Sequence, residues 1–400
     1  MTNQKLSEID MLRIISILIV VIAIHIPLSY AYNFYFDLNQ YGVFLVNNVG
    51  IYVAMGSFVF VSGFGLYLNP NNRQLNSSKK IFTFLKKRFI RIFPLYWIAI
   101  ILFLFFVGYL DIDPLYLMFH FFGLQIIVAP YFGAPMLTLW FIGIIIIYYL
   151  IFVIINSLGS IKLIIPASFV ILLFFVFLNR VFGLVEDRFF TYYLLFILGI
   201  IAAHIYTSSF YDRMKDRLKS IKPVILLLIP LCCALLGFIT FIYLTQLCFS
   251  SFISEFGDYN LHAILDLNPD FFQLTTVILL LNLIMVTFIV FAISLFNFGF
   301  RTFRLLFSKR KIEPAVSIGA YSTYGVYLFH RVFLAIFITI LTIGLNLDMR
   351  ESSNLYLVLL FVPFIFVFSY FIQKASDKLC KIIPKYINKN NLKLFFKRSS

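Results

Sequence analysis

Arg13 and His25 lie inside the first long apolar run of the chain, Ile9 to Tyr30. Ionisable groups in a membrane span are costly and are kept where they line a polar cavity or take part in chemistry. The two are twelve positions apart, roughly 18 Å along a helix at 1.5 Å per residue. The arginine therefore sits near the water interface and the histidine well inside the bilayer. Histidine is the side chain best poised to move a proton near neutral pH. The chain has five: His25, His120, His204, His262 and His330. His330 closes the run Tyr321 to His330, in which Tyr321, Tyr324 and Tyr327 recur every three residues and form one polar stripe on a helix. A membrane histidine also serves simply to hydrogen-bond neighbouring helices. For His204 and His262 that role, or loop exposure, is the expectation, and His120 stands open between a chemical and a structural role.

A second group with chemical potential is basic. Lys86, Lys87, Arg88 and Arg91 precede the sequence Ile92-Phe93-Pro94-Leu95-Tyr96. Arg88 and Arg91 are three apart and share a helical face at the membrane mouth. Arginine grips phosphate oxygens with two parallel hydrogen bonds. The same residues would equally serve as anchors whose charged heads reach the interface.

Membrane helices must position these groups. Hydrophobic residues make up 62% of the 400 residues and charged residues only 12%, about half the charged share of a soluble domain. The fold class is all-α, a polytopic membrane helical bundle. No long polar stretch leaves room for a second soluble domain. Residues 1–375 form the membrane domain, and residues 376–400 form a basic amphipathic tail against anionic lipid. Runs long enough to span the hydrocarbon core lie near 9–30, 48–68, 89–109, 137–156, 161–179, 190–206, 223–248, 271–296, 315–342 and 354–374. One more, 115–129, is short. The first run follows Glu8 and Asp10 and lacks a small-residue cleavage site, so it is read as a retained span rather than a signal peptide.

Charge orders the loops. Stretches 69–91, 207–222 and 297–314 and the C-terminal tail are rich in Lys and Arg, whereas 249–270 carries four acids and no base. The positive-inside rule puts the basic stretches in the cytoplasm, and it accounts for most of the net charge of +15 without nucleic acid as a partner. Between the two inside loops 69–91 and 207–222, the number of crossings beyond the third span must be odd, yet four apolar runs lie there. The 115–129 run is the shortest and is bracketed by Pro114 and Pro130, so it is re-entrant or interfacial. About ten transmembrane helices remain, with both termini cytoplasmic. Cys232, Cys233, Cys248 and Cys380 show neither metal-ligand spacing nor a disulfide framework, and no metal is expected.

Taken in order, these segments resemble the acyltransferase 3 family of membrane O-acyltransferases. Asp10-Met11-Leu12-Arg13 with His25 is similar to its first-helix motif. Phe58 to Phe64, with Ser62-Gly63, is similar to its second-helix signature. Arg88 to Tyr96 matches its Arg-x-x-Arg-(Ile/Leu)-x-Pro-x-Tyr pattern. Leu139-Trp140-Phe141 with Tyr148, and Tyr321 to His330, resemble two later helices. The resemblance covers about residues 5 to 375. There is one departure. The family usually has ten residues between the arginine and the histidine, and this chain has eleven. At about 100° per residue the extra position turns the histidine some 120° from the arginine. Either the helix carries a π-bulge, common at functional sites, or the two do not act as a facing pair.

The resemblance implies a multi-pass cell-membrane enzyme. It would move an acyl group, usually acetyl, from cytoplasmic acyl-CoA to a hydroxyl of a cell-envelope glycan or lipid-linked sugar. His25 and Arg13 would form the catalytic group. Lys87, Arg88 and Arg91 would bind the CoA phosphates, with Arg13 beside them. Ser62, Trp140, Tyr321 and His330 would line the cavity or orient the acceptor. The alternative is a transporter or flippase of envelope polysaccharide precursors, which ten spans and polar intramembrane residues fit equally well.

Overall fold

In a bilayer the backbone must satisfy its own hydrogen bonds, so apolar runs of this length become helices. The computed structural model describes residues 6–26, 49–221, 226–251, 271–306, 309–347 and 355–397, and among them there is no strand. The helices are α1 (Ser7–Leu18), α2 (Gly50–Leu68), α3 (Ser78–Phe103), α4 (Pro114–Phe122), α5 (Gln125–Phe132), α6 (Trp140–Ser157) and α7 (Ile164–Phe182). They continue with α8 (Asp187–Tyr206), α9 (Ser209–Ser220), α10 (Leu228–Ser251), α11 (Phe271–Leu306), α12 (Lys309–Thr339) and α13 (Leu355–Lys397). Nine helices among the described residues are long and apolar enough to cross a membrane, and they overlap nine of the ten expected spans. The tenth is α1, which carries Glu8, Asp10 and Arg13 at its start and continues as a π-helix from Ile19 to His25. The chain is a multi-pass membrane protein.

The short run 115–129 forms two helices, neither of which is long enough to cross. Asp113 caps α4 by accepting from the N–H groups of Leu115 and Tyr116 at 2.8 and 3.1 Å, with Pro114 at the first turn. Gly123 ends it in the left-handed conformation, φ 71°. Pro130 lies within α5 rather than bounding it. The tail continues α13 as helix to Lys397, and its side chains beyond Cys380 lie outside the described set.

Two glycines set the closest helix approach. A Cβ on Gly63 would stand 2.3 Å from the Phe196 carbonyl oxygen, and one on Gly199 would stand 2.3 Å from that of Phe60. Helices α2 and α8 therefore touch backbone to backbone, as small residues allow in membranes. Helix α1 packs against both α2 and α12, and α12 packs along α13. Pro94 inside α3 removes the N–H that would bond the Ile90 carbonyl, and the Cys380 thiol lies 3.6 Å from that oxygen. This gives one of the cysteines a role beyond filling space. Large apolar side chains of α7, such as Phe169, Phe174 and Phe177, are exposed and form part of the surface offered to lipid.

Candidate active site

Helices α1, α2, α3, α6, α12 and α13 enclose a cavity of about 1050 Å³. Its mouth is at the end of the bundle that carries the basic connections, where Asn69, Arg73, Thr207 and Tyr321 line it. Its far end is lined by Phe58, Phe141, Ile142 and Tyr327. Along α12 it runs from Ala320 to Tyr327, about two helical turns or roughly 10 Å.

Four arginines face this space, Arg13, Arg73, Arg88 and Arg91, and no carboxylate is among the lining residues. Asp10 pairs with Arg13 at 3.1 Å. The absence of a side chain on Gly65 leaves room for the Arg13 guanidinium, 3.9 Å from where a Cβ would stand. Arg73 donates to the carbonyls of Tyr67 and Leu68 at 2.9 and 3.3 Å, closing the end of α2. The Arg88 guanidinium stands 5.4 Å from the Phe84 ring centre and 5.6 Å from that of Tyr149, a cation–π arrangement. Its buried Nε has no hydrogen-bond partner. Arg91 is exposed. An electropositive, carboxylate-free pocket with a buried unspent donor suits a polyanion.

The tyrosine stripe faces the same space, since Tyr321, Tyr324 and Tyr327 all line it. Tyr321 donates to Asp377 of α13 at 2.5 Å, and Tyr324 donates to the Ile92 carbonyl of α3 at 2.8 Å. Tyr327 donates to the Thr138 carbonyl. Each hydroxyl thus pins α12 to a neighbour. Ser62 also lines the cavity, with Oγ 3.4 Å from the Tyr149 hydroxyl.

One turn beyond Tyr327, His330 meets His25. The distance from His25 Nδ1 to His330 Nε2 is 2.6 Å, with the ring centres 4.8 Å apart and the ring planes 18° from parallel. His330 Nδ1 lies 2.9 and 3.0 Å from the carbonyls of Val326 and Tyr327. Carbonyls only accept, so Nδ1 carries the proton. In the uncharged pair His330 Nε2 then accepts from His25 Nδ1–H, and His25 Nε2 keeps a free lone pair. That is the atom a general base needs. The π-helix that ends at His25 meets the expectation of a π-bulge. Its wider turn takes up the extra residue and keeps His25 on the side of α12, as Ile14 is beside Gly319.

Other expected site residues are placed elsewhere. Arg13 lines the cavity's basic end and does not contact His25. Lys87 is exposed and does not line the cavity. Trp140 lies outside it, between the Arg188 guanidinium at 4.8 Å and the Tyr192 ring at 5.9 Å. Tyr148 is fully buried and donates to the Phe189 carbonyl at 2.6 Å, while its neighbour Tyr149 faces the cavity. His120 is held at both ring nitrogens, with Nδ1 on the Tyr116 carbonyl at 2.9 Å and Nε2 on the Met136 N–H at 3.1 Å. His204 meets the Tyr67 hydroxyl at 3.3 Å. His262 lies outside the described residues. Sequence reasoning missed Tyr149, Gln373 and Arg331. Gln373 lines the cavity with its buried Oε1 unpartnered, and Arg331 lies within electrostatic reach of both His25 and His330. An amide and an arginine in otherwise apolar runs were the available signals.

Residues 6–374 match the family model described as an acyltransferase domain. The chain belongs to the acyltransferase 3 family. This acyltransferase is therefore a membrane enzyme of the O-acyltransferase kind, and the match includes every residue that lines the cavity and both histidines of the pair. No curated protein and no solved structure matches it.

Proposed function

We propose that the enzyme moves a short acyl group, acetyl in the first instance, from acyl-CoA to a hydroxyl of a cell-envelope glycan or lipid-linked sugar. The arginine-lined cavity that ends one helical turn short of the His25–His330 pair carries this reading. CoA is a polyanion on a thin pantetheine arm. Arg13, Arg88 and Arg91 hold its phosphates, and the arm extends inward along the tyrosine stripe. The unpartnered Gln373 Oε1 accepts an N–H from the donor.

His25 Nε2 takes the proton of the acceptor hydroxyl as its oxygen attacks the thioester carbonyl. The C–S bond breaks as the new C–O bond forms, and the leaving CoA thiolate recovers the proton from the His25 imidazolium. His330 is the positioning residue, because its accepting Nε2 fixes the His25 tautomer. The basic mouth faces the cytoplasm, where acyl-CoA is made, so both termini are cytoplasmic and the acceptor approaches His25 from the opposite side.

Thioester turnover tests the reading. Purified protein in liposomes receives labelled acetyl-CoA and a glycan acceptor, and wild type is compared with His25→Ala. Turnover in wild type that disappears in a folded variant supports it. Translocation of a glycan precursor without CoA release would replace it with the transporter reading.

A further inference from the structure

The cavity and the histidine pair do not meet. The residues that line the cavity stop at Phe58 on α2, Phe141 and Ile142 on α6, and Tyr327 on α12. His330, one turn further along α12, is fully buried and lines no part of it. Between the two stands a layer of rings. Phe58 meets Phe141 edge-on at 6.2 Å between centres, and Phe141 meets Tyr327 edge-on at 5.3 Å. Tyr327 in turn lies 6.4 Å from the His330 ring. The layer is held in place. The Tyr327 hydroxyl is bonded to the Thr138 carbonyl, and Phe141 also packs edge-on against Trp140 at 5.8 Å.

An acyl thioester whose phosphates rest on the arginines would present its acyl end to this layer last. Rings in edge contact leave passage for a small group and resist a long one. Each extra methylene must displace a packed side chain, and well-packed interiors resist overfilling. We propose that Phe58, Phe141 and Tyr327 form the filter that sizes the acyl group, admitting short acyl chains to the His25–His330 pair and rejecting longer ones. The inference rests on the acyl-CoA reading of the cavity and adds the residues that set donor selectivity.

The test is a chain-length profile. The kcat/KM values for acetyl-, butyryl- and octanoyl-CoA are measured in liposomes for wild type, Phe58→Ala and Phe141→Ala. Wild type should prefer acetyl-CoA. Either alanine variant should raise the octanoyl-to-acetyl ratio by at least about tenfold, the discrimination a single methylene commands in a fitted pocket. Phe106→Ala, at an exposed position far along α3's π-helical extension, should leave the ratio unchanged. Where an alanine variant does not fold, Phe58→Leu and Phe141→Leu read the same shift with less loss of volume. Unchanged ratios in variants that still turn over acetyl-CoA would overturn the filter while leaving the acyltransferase reading intact. A wild type indifferent to chain length would do the same. No turnover of any acyl-CoA by wild type would instead remove the reading on which the filter depends.

Discussion

His25 and His330, 305 positions apart in sequence, share one hydrogen bond of 2.6 Å between His25 Nδ1 and His330 Nε2. The two backbone carbonyls at His330 Nδ1 set its direction. Removing the base and removing its orienter should therefore differ. His25→Ala should lower kcat by about 10² to 10⁴, the usual worth of a general base. His330→Ala should lower kcat less and leave KM for acyl-CoA unchanged, because the cavity is built without it. His330→Asn, which restores an acceptor, should recover part of the loss. Equal losses in all three variants would mean that His330 does more than orient.

Arg88 and Arg91 belong to the donor end. If they hold phosphate with two-pronged contacts, a lysine keeps the charge and loses the fork. Arg91→Lys should raise the apparent KM for acyl-CoA roughly tenfold with kcat little changed, the worth of about one charge-assisted hydrogen bond. Steady-state kinetics across a range of acyl-CoA concentrations reads this directly. An unchanged KM in Arg91→Lys would take this arginine out of the phosphate site.

Gly63 sits next to the cavity-lining Ser62, and its own role is packing. A side chain there would run into the Phe196 carbonyl, and main chain cannot move aside as a flexible side chain can. Gly63→Val should cost at least about 1–3 kcal/mol, seen as a lower midpoint of thermal unfolding in detergent and a lower yield of folded protein. Gly133→Ala makes a contrasting control for packing, since nothing lies within 4 Å of a Cβ there, although its φ of 93° adds backbone strain of its own. A Gly63→Val protein with wild-type stability would show that α2 and α8 can separate at no cost.

Much of this arrangement was legible in the sequence, for physical reasons. Hydrocarbon tolerates few backbone solutions, so the apolar runs read directly as helices. Charge parity removed the 115–129 run from the crossings, and α4 and α5 are indeed too short to span. The spacing of Arg13 and His25 left either a π-bulge or no facing pair, and both hold: a π-helix runs from Ile19 to His25, and Arg13 lines the cavity's basic end away from His25. The every-third tyrosines of α12 turned out to face one cavity. What the sequence could not show was contact between distant segments. Nothing local pairs His25 with His330, or distinguishes Tyr149 at the cavity from Tyr148 in the core. Lys87 reads like its neighbours Arg88 and Arg91, but it does not line the cavity that they line. Motif residues also divide by task. Arg88 and Arg91 face the cavity, while Tyr96 of the same motif donates to the His120 carbonyl at 2.8 Å and accepts from Gln125 at 3.1 Å, tying α4 and α5 to α3.

His120 should make the protein acid-sensitive independently of catalysis. It is fully buried, and burial pushes its pKa down from the ordinary value to about 4, against a smaller opposite effect from the Tyr116 carbonyl. An unfolded histidine titrates near 6.5. Between those values the unfolded state binds a proton that the folded state refuses. The stability from neutral His120 is therefore complete above about pH 6.5 and falls as pH drops towards 4, by up to about 1.4 kcal/mol per unit. Protonation would also turn Nε2 into a donor facing the Met136 N–H, which sets donor against donor. His120→Gln cannot charge. It should start less stable at pH 7.5 and lose less on acidification, so that its unfolding midpoint drops less than that of wild type between pH 7.5 and 5. Parallel drops in the two proteins would place the acid sensitivity at another residue.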